Sequence, residues 1–351
     1  MENSTRKIRI ALPSKGLLAD GSKQLLADVG LPVYNPNPRQ YIAWIQALPE
    51  VEVIFQRPGD IVISVRDGSV DFGITGRDIY LEKRDHNGKI LELHSQLGFG
   101  KCTLNVIVPD EWETLSTLTD LQIFQAQLQR PIKVATKFPN LTKDFFISSS
   151  DIQIEVIRAE GALEIAPTVG YADLIVDLVS TGTTLRDNRL KKLKDGKVLD
   201  AEACLIANRE RLTTNPQTLK TASLLLEMIG AHLNGKENLA VFANVRAQSE
   251  EEISEKIFDQ EVIGGLQGPT ISRILSRDKE SFYAIHIVVR KEELHKAIGE
   301  LRNIGGSGVV VSPVTFIFEE QPAEILNMMR ALKLSLSRES IREIVGPCSP
   351  Q

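Results

Sequence analysis

The sequence predicts an α/β protein of two lobes followed by a smaller ferredoxin-like module. Strand, loop and helix signals alternate from Lys7 onward, as in layered α/β folds. The chain also crosses between lobes twice, once through Leu97 to Val108 and again at Ala203 to Ala207. Finally, the segments between Leu239 and Phe316 follow the order β-α-β-β-α-β of a ferredoxin-like unit. A chain of 351 residues, 42% hydrophobic and 25% charged, has material for two or three full cores. The expected division is 1–104 with 195–235 as the first lobe, 105–194 as the second, 236–320 as the module and 321–351 as a C-terminal extension.

Each element has its own signal. Lys7 to Leu12 reads as a strand, Pro13 to Gly16 as a loop, and Gly21 to Val29 as a helix stopped by Gly30. Lys15 in that loop is either a solvated lysine or a phosphate contact at the carboxyl edge of a sheet. Tyr34 to Pro38 is a proline-marked loop, and Val51 to Phe55 is a strand. Arg57 then opens a helix at Pro58, placing a planar guanidinium fork beside a helix start. The run Asp67 to Asp78 brackets a very short strand with turn signals and ends on Gly76, where backbone approaches a ligand or merely turns. Ile132 to Ala135 is a strand whose loop carries Lys137, open to the same two readings as Lys15.

The centre of the chain is Glu164 to Asn188, EIAPTVGYADLIVDLVSTGTTLRDN. Leu174 to Val179 is apolar except for Asp177, as expected of a buried strand that carries one carboxylate towards its end. Ser180, Thr181, Gly182, Thr183 and Thr184 follow. Small hydroxyl residues and one glycine let backbone N–H groups converge on an anion, and a following helix start would add its dipole. Lys191 to Lys197 reads as a charged connector, and Thr218 to Leu233 as a long helix with Gly235 as its stop.

Composition narrows the partners. A net charge of −5 disfavours a general nucleic-acid or anionic-membrane surface and leaves room for a local phosphate pocket. Cys102, Cys204 and Cys348 are odd in number and lack metal-type spacing, which points to a reducing, cytoplasmic setting. The amino terminus enters a strand pattern without an apolar signal core, and no apolar run approaches membrane-spanning length. His86, His94, His232, His286 and His295 show no ligand spacing and read as surface or structural residues.

The composite of Glu164, Gly170 and Ala172, then Ile175, Asp177 and Leu178, then Thr181, Gly182, Thr184 and Leu185 resembles the signature of the ATP phosphoribosyltransferases, the first enzymes of histidine biosynthesis. The loops at Lys15, Arg57 and Lys137 resemble that family's as well, and the resemblance spans roughly 7–318. It implies a type II, periplasmic-binding-protein-like catalytic region. It further implies transfer of phosphoribose from phosphoribosyl pyrophosphate to N1 of ATP. Glu164 and Asp177 would hold ribose hydroxyls, Ser180 to Thr184 the 5′-phosphate, and Lys15 and Arg57 the leaving pyrophosphate, with Mg²⁺ held mainly by substrate oxygens. Gly76, Asp173 and Lys137 would face ligand. The ferredoxin-like module resembles the family's regulatory domain, with Leu266, Thr270, Ser307 and Gly308 at a site for inhibitory histidine in a dimer or hexamer. Gly264 stands where the family's motif begins with proline. The competing readings are a non-catalytic two-lobed binding protein with a regulatory module, and a phosphoribosyltransferase for another base.

Overall fold

The structure is a computed structural model describing residues 6–37, 39–84, 87–149, 151–180, 182–265, 268–275 and 281–335. Three sheets organise it. The first has seven strands: β1 (Ile8–Pro13), β2 (Val33–Tyr34), β3 (Ile42–Ile45), β4 (Leu48–Gln56), β5 (Phe72–Gly76), β6 (Ile90–His94) and β12 (Ala203–Asn208), in the order β2-β3-β4-β1-β5-β12-β6. The second is built from β7 (Cys102–Pro109), β8 (Ile132–Thr136), β9 (Ile154–Arg158), β10 (Leu174–Val179) and β11 (Leu190–Ala201), ordered β11-β7-β10-β8-β9.

Both sheets follow one plan. Strands β4, β1 and β5 run parallel, as do β9, β8 and β10. Beside each trio lies an antiparallel strand, β12 in the first sheet and β7 in the second, and beyond it an outer strand. Each antiparallel strand is where the chain arrives from the other sheet, so two crossings join the lobes. They lie side by side: Leu97 N–H donates to Ala203 O at 3.0 Å, and Ala203 N–H to Phe99 O at 2.9 Å. This is the expected type II two-lobed plan.

Helices cover the sheets: α1 (Leu17–Asp28), α2 (Pro58–Arg66) and α3 (Arg77–Lys83) on the first, α4 (Leu118–Leu128) and α5 (Pro139–Ser149) on the second. Helix α1 starts four residues before the sequence reading placed it, because Gly16 at φ 79° makes the turn from β1 and lets the helix begin at Leu17. The connector expected at Lys191 to Lys197 is instead the middle of β11. Register shifts at Lys192/Lys197 and Lys197/Leu199 bulge this strand, and a bulge breaks the two-residue alternation by which a strand is recognised. Strand β3 was likewise not anticipated.

After the short helices α6 (Ala166–Val169), α7 (Thr183–Asp187) and α8 (Arg209–Thr214) comes α9 (Pro216–Lys236). Gly235 lies inside α9 and does not end it. A Cβ there would stand 2.6 Å from the Thr315 backbone, so glycine serves close packing at this point.

Contacts separate the chain into two compact units, one running to Ser223 and resuming at Leu326, the other Leu224–Ile325. The latter holds β13 (Asn238–Arg246), α10 (Glu250–Phe258), β14 (Thr270–Ile274), β15 (Phe282–Arg290), α11 (Leu294–Asn303) and β16 (Gly306–Pro313). Its antiparallel order β14-β15-β13-β16 is ferredoxin-like, as expected. Val241, Ile253, Ile257, Ile285 and Leu301 form its core. The extension begins with α12 (Ala323–Ala331), which buries Ile325, Met328 and Met329. No described helix is long and apolar enough to cross a membrane.

Candidate active site

The β10 loop is held by its own apolar anchors. Val179 before it and Leu185 after it are buried in one cluster with Leu163 and Ala166. Those last two flank Glu164, so one core seats both the loop and this acid. Gly182 adopts φ 74°, a conformation that side chains rarely tolerate, and caps α7. Helix α7 spans only five residues, so the dipole expected to assist the loop is small. Ser180, Thr183 and Thr184 are exposed, and Thr181 lies outside the described residues.

Asp177 sits on β10 opposite Asn105 of β7 and accepts Leu178 N–H at 2.8 Å. Burial raises its carboxyl above the usual carboxylate range; nearby Lys137 opposes that rise and Glu164 adds to it. Asp177, Lys137 and Glu164 therefore form one electrostatic group. The Thr136 hydroxyl shapes the Lys137 loop by donating to Val176 O at 2.7 Å and accepting Phe138 N–H at 2.9 Å.

The first lobe presents Lys15 and Arg57 on adjacent loops. Ser14 N–H donates to Gln56 O at 2.8 Å, tying the end of β1 to that of β4, and both cations are exposed. Thr75 Oγ1 donates to Pro58 O at 3.1 Å and brings the end of β5, at Gly76, to the same edge. The carboxyl ends of parallel strands are where ligands bind in open α/β sheets.

Asp173 is a correction. It precedes β10, at the end away from the loop, where Arg130 grips both its oxygens at 2.6 and 2.7 Å and Lys133 N–H donates at 2.8 Å. The Arg130 guanidinium holds its carboxyl below the usual range. This acid braces the strand and does not face ligand.

A cavity of about 780 Å³ opens between the lobes, and Ser180 lines it. The other polar lining residues, Arg77, Lys101, Lys192 and Glu202 among them, were not singled out from sequence. Lys192 was hidden in the misread strand. Glu202 was a lone acid between two alanines, and only the pairing of the crossings exposes its position. Arg77 pairs with Glu92 at 2.7 Å, and its N–H donates to Glu202 O at 2.9 Å.

Glu82 was also missed. From α3 its carboxylate accepts Asn140 N–H at 3.1 Å and Leu141 N–H at 3.0 Å, capping α5 of the second lobe. Burial raises its carboxyl, and those two N–H groups pull it back. Glu82→Ala is expected to cost about 2 kcal/mol, read by thermal denaturation, since it uncaps a helix at a buried point. Glu82→Gln retains an acceptor and is expected to lose less; equal losses would refute the capping role.

In the ferredoxin-like unit, Thr270 begins edge strand β14, while Ser307 and Gly308 lie on the opposite edge, β16. Ser307 Oγ donates to Asn244 O at 3.3 Å, and Gly308 sits at φ 59° in a bulge. Three strand spacings, roughly 14 Å, separate the edges. One chain does not bring these residues together, and Leu266 lies outside the described residues.

Two α/β lobes around a cleft lined in part by Ser180 of the small-hydroxyl loop, in a chain that also holds a ferredoxin-like unit, mark the two-lobed class of α/β proteins that take a small ligand between lobes. A family model, ATP phosphoribosyltransferase, matches residues 57–230, and a second, the HisG C-terminal domain, matches 236–315. ATP phosphoribosyltransferase 2, chloroplastic, of Arabidopsis thaliana is 43% identical over 90% of this chain and 78% of its own length. The ATP phosphoribosyltransferase of Methanosarcina acetivorans is 34% identical over 88% of this chain and 98% of its own. The solved ATP phosphoribosyl transferase (HisG:HisZ) complex from Thermotoga maritima aligns at TM-score 0.49 and 22% identity, covering 63% of this chain and 98% of that one. The chain belongs to the ATP phosphoribosyltransferase family, in the long form with a C-terminal domain, and is an enzyme of histidine biosynthesis.

Proposed function

We propose that the cleft transfers phosphoribose from phosphoribosyl pyrophosphate to N1 of ATP, giving phosphoribosyl-ATP and pyrophosphate. The N1 lone pair forms the bond to C1′ as the C1′–O bond breaks towards pyrophosphate, with inversion. Adenine N1 is unprotonated, so no general base is required. The observation that carries this reading is the electrostatic group of Asp177, Glu164 and Lys137 beside the Ser180 to Thr184 loop.

In this reading the loop takes the 5′-phosphate and the two acids take ribose hydroxyls, a contact that strengthens as C1′ becomes cationic. Lys15, Arg57 and Lys137 face the negative charge of the leaving group. Mg²⁺ would neutralise pyrophosphate as it leaves. The cation would be held mainly by substrate oxygens, with Lys15 and Arg57 nearby.

Histidine inhibition belongs to the same proposal. Because Thr270 and the Ser307–Gly308 turn occupy opposite sheet edges, a site using both needs a second copy, which supports a homo-oligomer, dimer or hexamer. A cytoplasmic setting is also proposed, supported by the free thiols of Cys102 and Cys204.

Pyrophosphate release from the donor is expected to require ATP and Mg²⁺ and to fall as histidine is titrated. Saturable binding without turnover would favour the non-catalytic alternative, and turnover with a different base would reassign the acceptor. Complete insensitivity to histidine would reject the regulatory part alone.

A further inference from the structure

Glu202 lies at the return crossing, between β11 and β12, and contributes to the wall of the large cleft. Its residue is 8% exposed. Burial raises its carboxyl above the usual carboxylate range, with Lys101 and the Gly98 N–H opposing the rise, and Oε2 has no hydrogen-bond partner among the described residues. A buried carboxylate oxygen left unpaired is costly, and such atoms are rare unless a ligand completes them.

The chemistry of the missing partner is restricted. In its ionised form the carboxylate only accepts, so the partner of that form must be a donor and not a phosphate oxygen. The donor sugar's hydroxyls already have acids on β10 and beside its loop. Around Glu202 the cleft offers Cys102, Val179 and Ala201, small apolar surfaces suited to a flat base, while Lys101 and Lys192 suit a polyphosphate. The volume is that of a nucleotide-sized site.

We propose that Glu202 is a specificity-determining residue for the acceptor, its Oε2 receiving a hydrogen of the exocyclic N6 amine of adenine. This rests on ATP being the acceptor. As N1 forms its bond to C1′, positive charge spreads over N1, C6 and N6, and the N6 hydrogens become better donors. The contact to Glu202 therefore strengthens towards the transition state, and no proton need leave. A nucleotide with oxygen at position 6 would instead point a lone pair at the carboxylate and be rejected.

The test compares ATP with purine riboside 5′-triphosphate, which keeps N1 and lacks the amine. Wild-type enzyme is expected to favour ATP by about 10- to 100-fold in kcat/KM. Glu202→Gln is expected to lose a similar factor on ATP and under about threefold on the analogue. It should also bind inosine triphosphate more tightly as an inhibitor, because the new amide donates to O6. A wild-type enzyme indifferent to the amine, or a variant falling equally on both nucleotides, overturns the proposal, and the first measurement stands even if the variant does not fold. Failure of wild-type enzyme to use ATP at all would instead overturn the reaction assignment beneath it.

Discussion

Asp177→Asn is expected to lower turnover by on the order of 100-fold, the usual cost of losing one group aimed at charge that develops in the transition state. Its melting temperature should nevertheless hold or rise. Burial raises the Asp177 carboxyl above the usual range in the folded protein, so the folded state binds this proton more tightly than the unfolded state. Stability from this group is then lost as pH climbs from the unfolded pKa through the folded one, and at neutral pH the ionised acid is a liability. Asparagine removes that liability along with the charge. Steady-state pyrophosphate release and thermal denaturation at neutral pH check both halves. Undiminished turnover would remove Asp177 from the reaction, whereas a large fall in melting temperature would mean that the carboxylate serves the fold.

Asp71→Ala is expected to have the opposite signature. Asp71 is fully buried, accepts Arg9 N–H at 2.8 Å and Arg211 Nε at 2.7 Å, and has Arg6 at 3.5 Å. It ties the amino-terminal end of β5 to β1 and to α8. Removing one member of such a buried charged group costs about 3 kcal/mol, because its partners keep their desolvation without their counter-charge. For a unit of this size that corresponds to a fall of roughly 6 to 12 °C in melting temperature, with turnover per folded molecule little changed. A shift below about 2 °C would show that solvent compensates the arginines.

Asp71 and Asp177 look alike in sequence, each an acid in or next to a short apolar strand. The difference lies at the ends of the strands. Asp71 precedes β5 and meets one arginine from just before β1 and another from α8, whereas Asp177 stands within β10, beside the core that also holds the residues around Glu164. Asp173 teaches the same lesson, since its step from the signature suggested a ligand contact and Arg130, 43 residues earlier, claims it. Sequence spacing names an acid without naming its partner, because partners across a sheet are set by register.

Local chemistry was legible where it is local. Strand β10, the turn at Gly182, the Arg57 helix start and the ferredoxin-like order follow from apolar runs, φ requirements and element order, all carried by adjacent residues. Strand β11 escaped because its bulges mix charged and apolar residues out of phase. Glu82 and Glu202 escaped because their roles exist only after two lobes meet.

Short-range backbone preference and hydrophobic pattern specify the two-lobed α/β class, the ferredoxin-like unit and the small-hydroxyl loop. Only packing shows that Asp173 and Asp71 brace strands, and that one carboxylate oxygen at the crossing is buried without a partner among the described residues. Burial and desolvation are properties of the packed interior, and they arise only when residues distant in the chain close around the same atom.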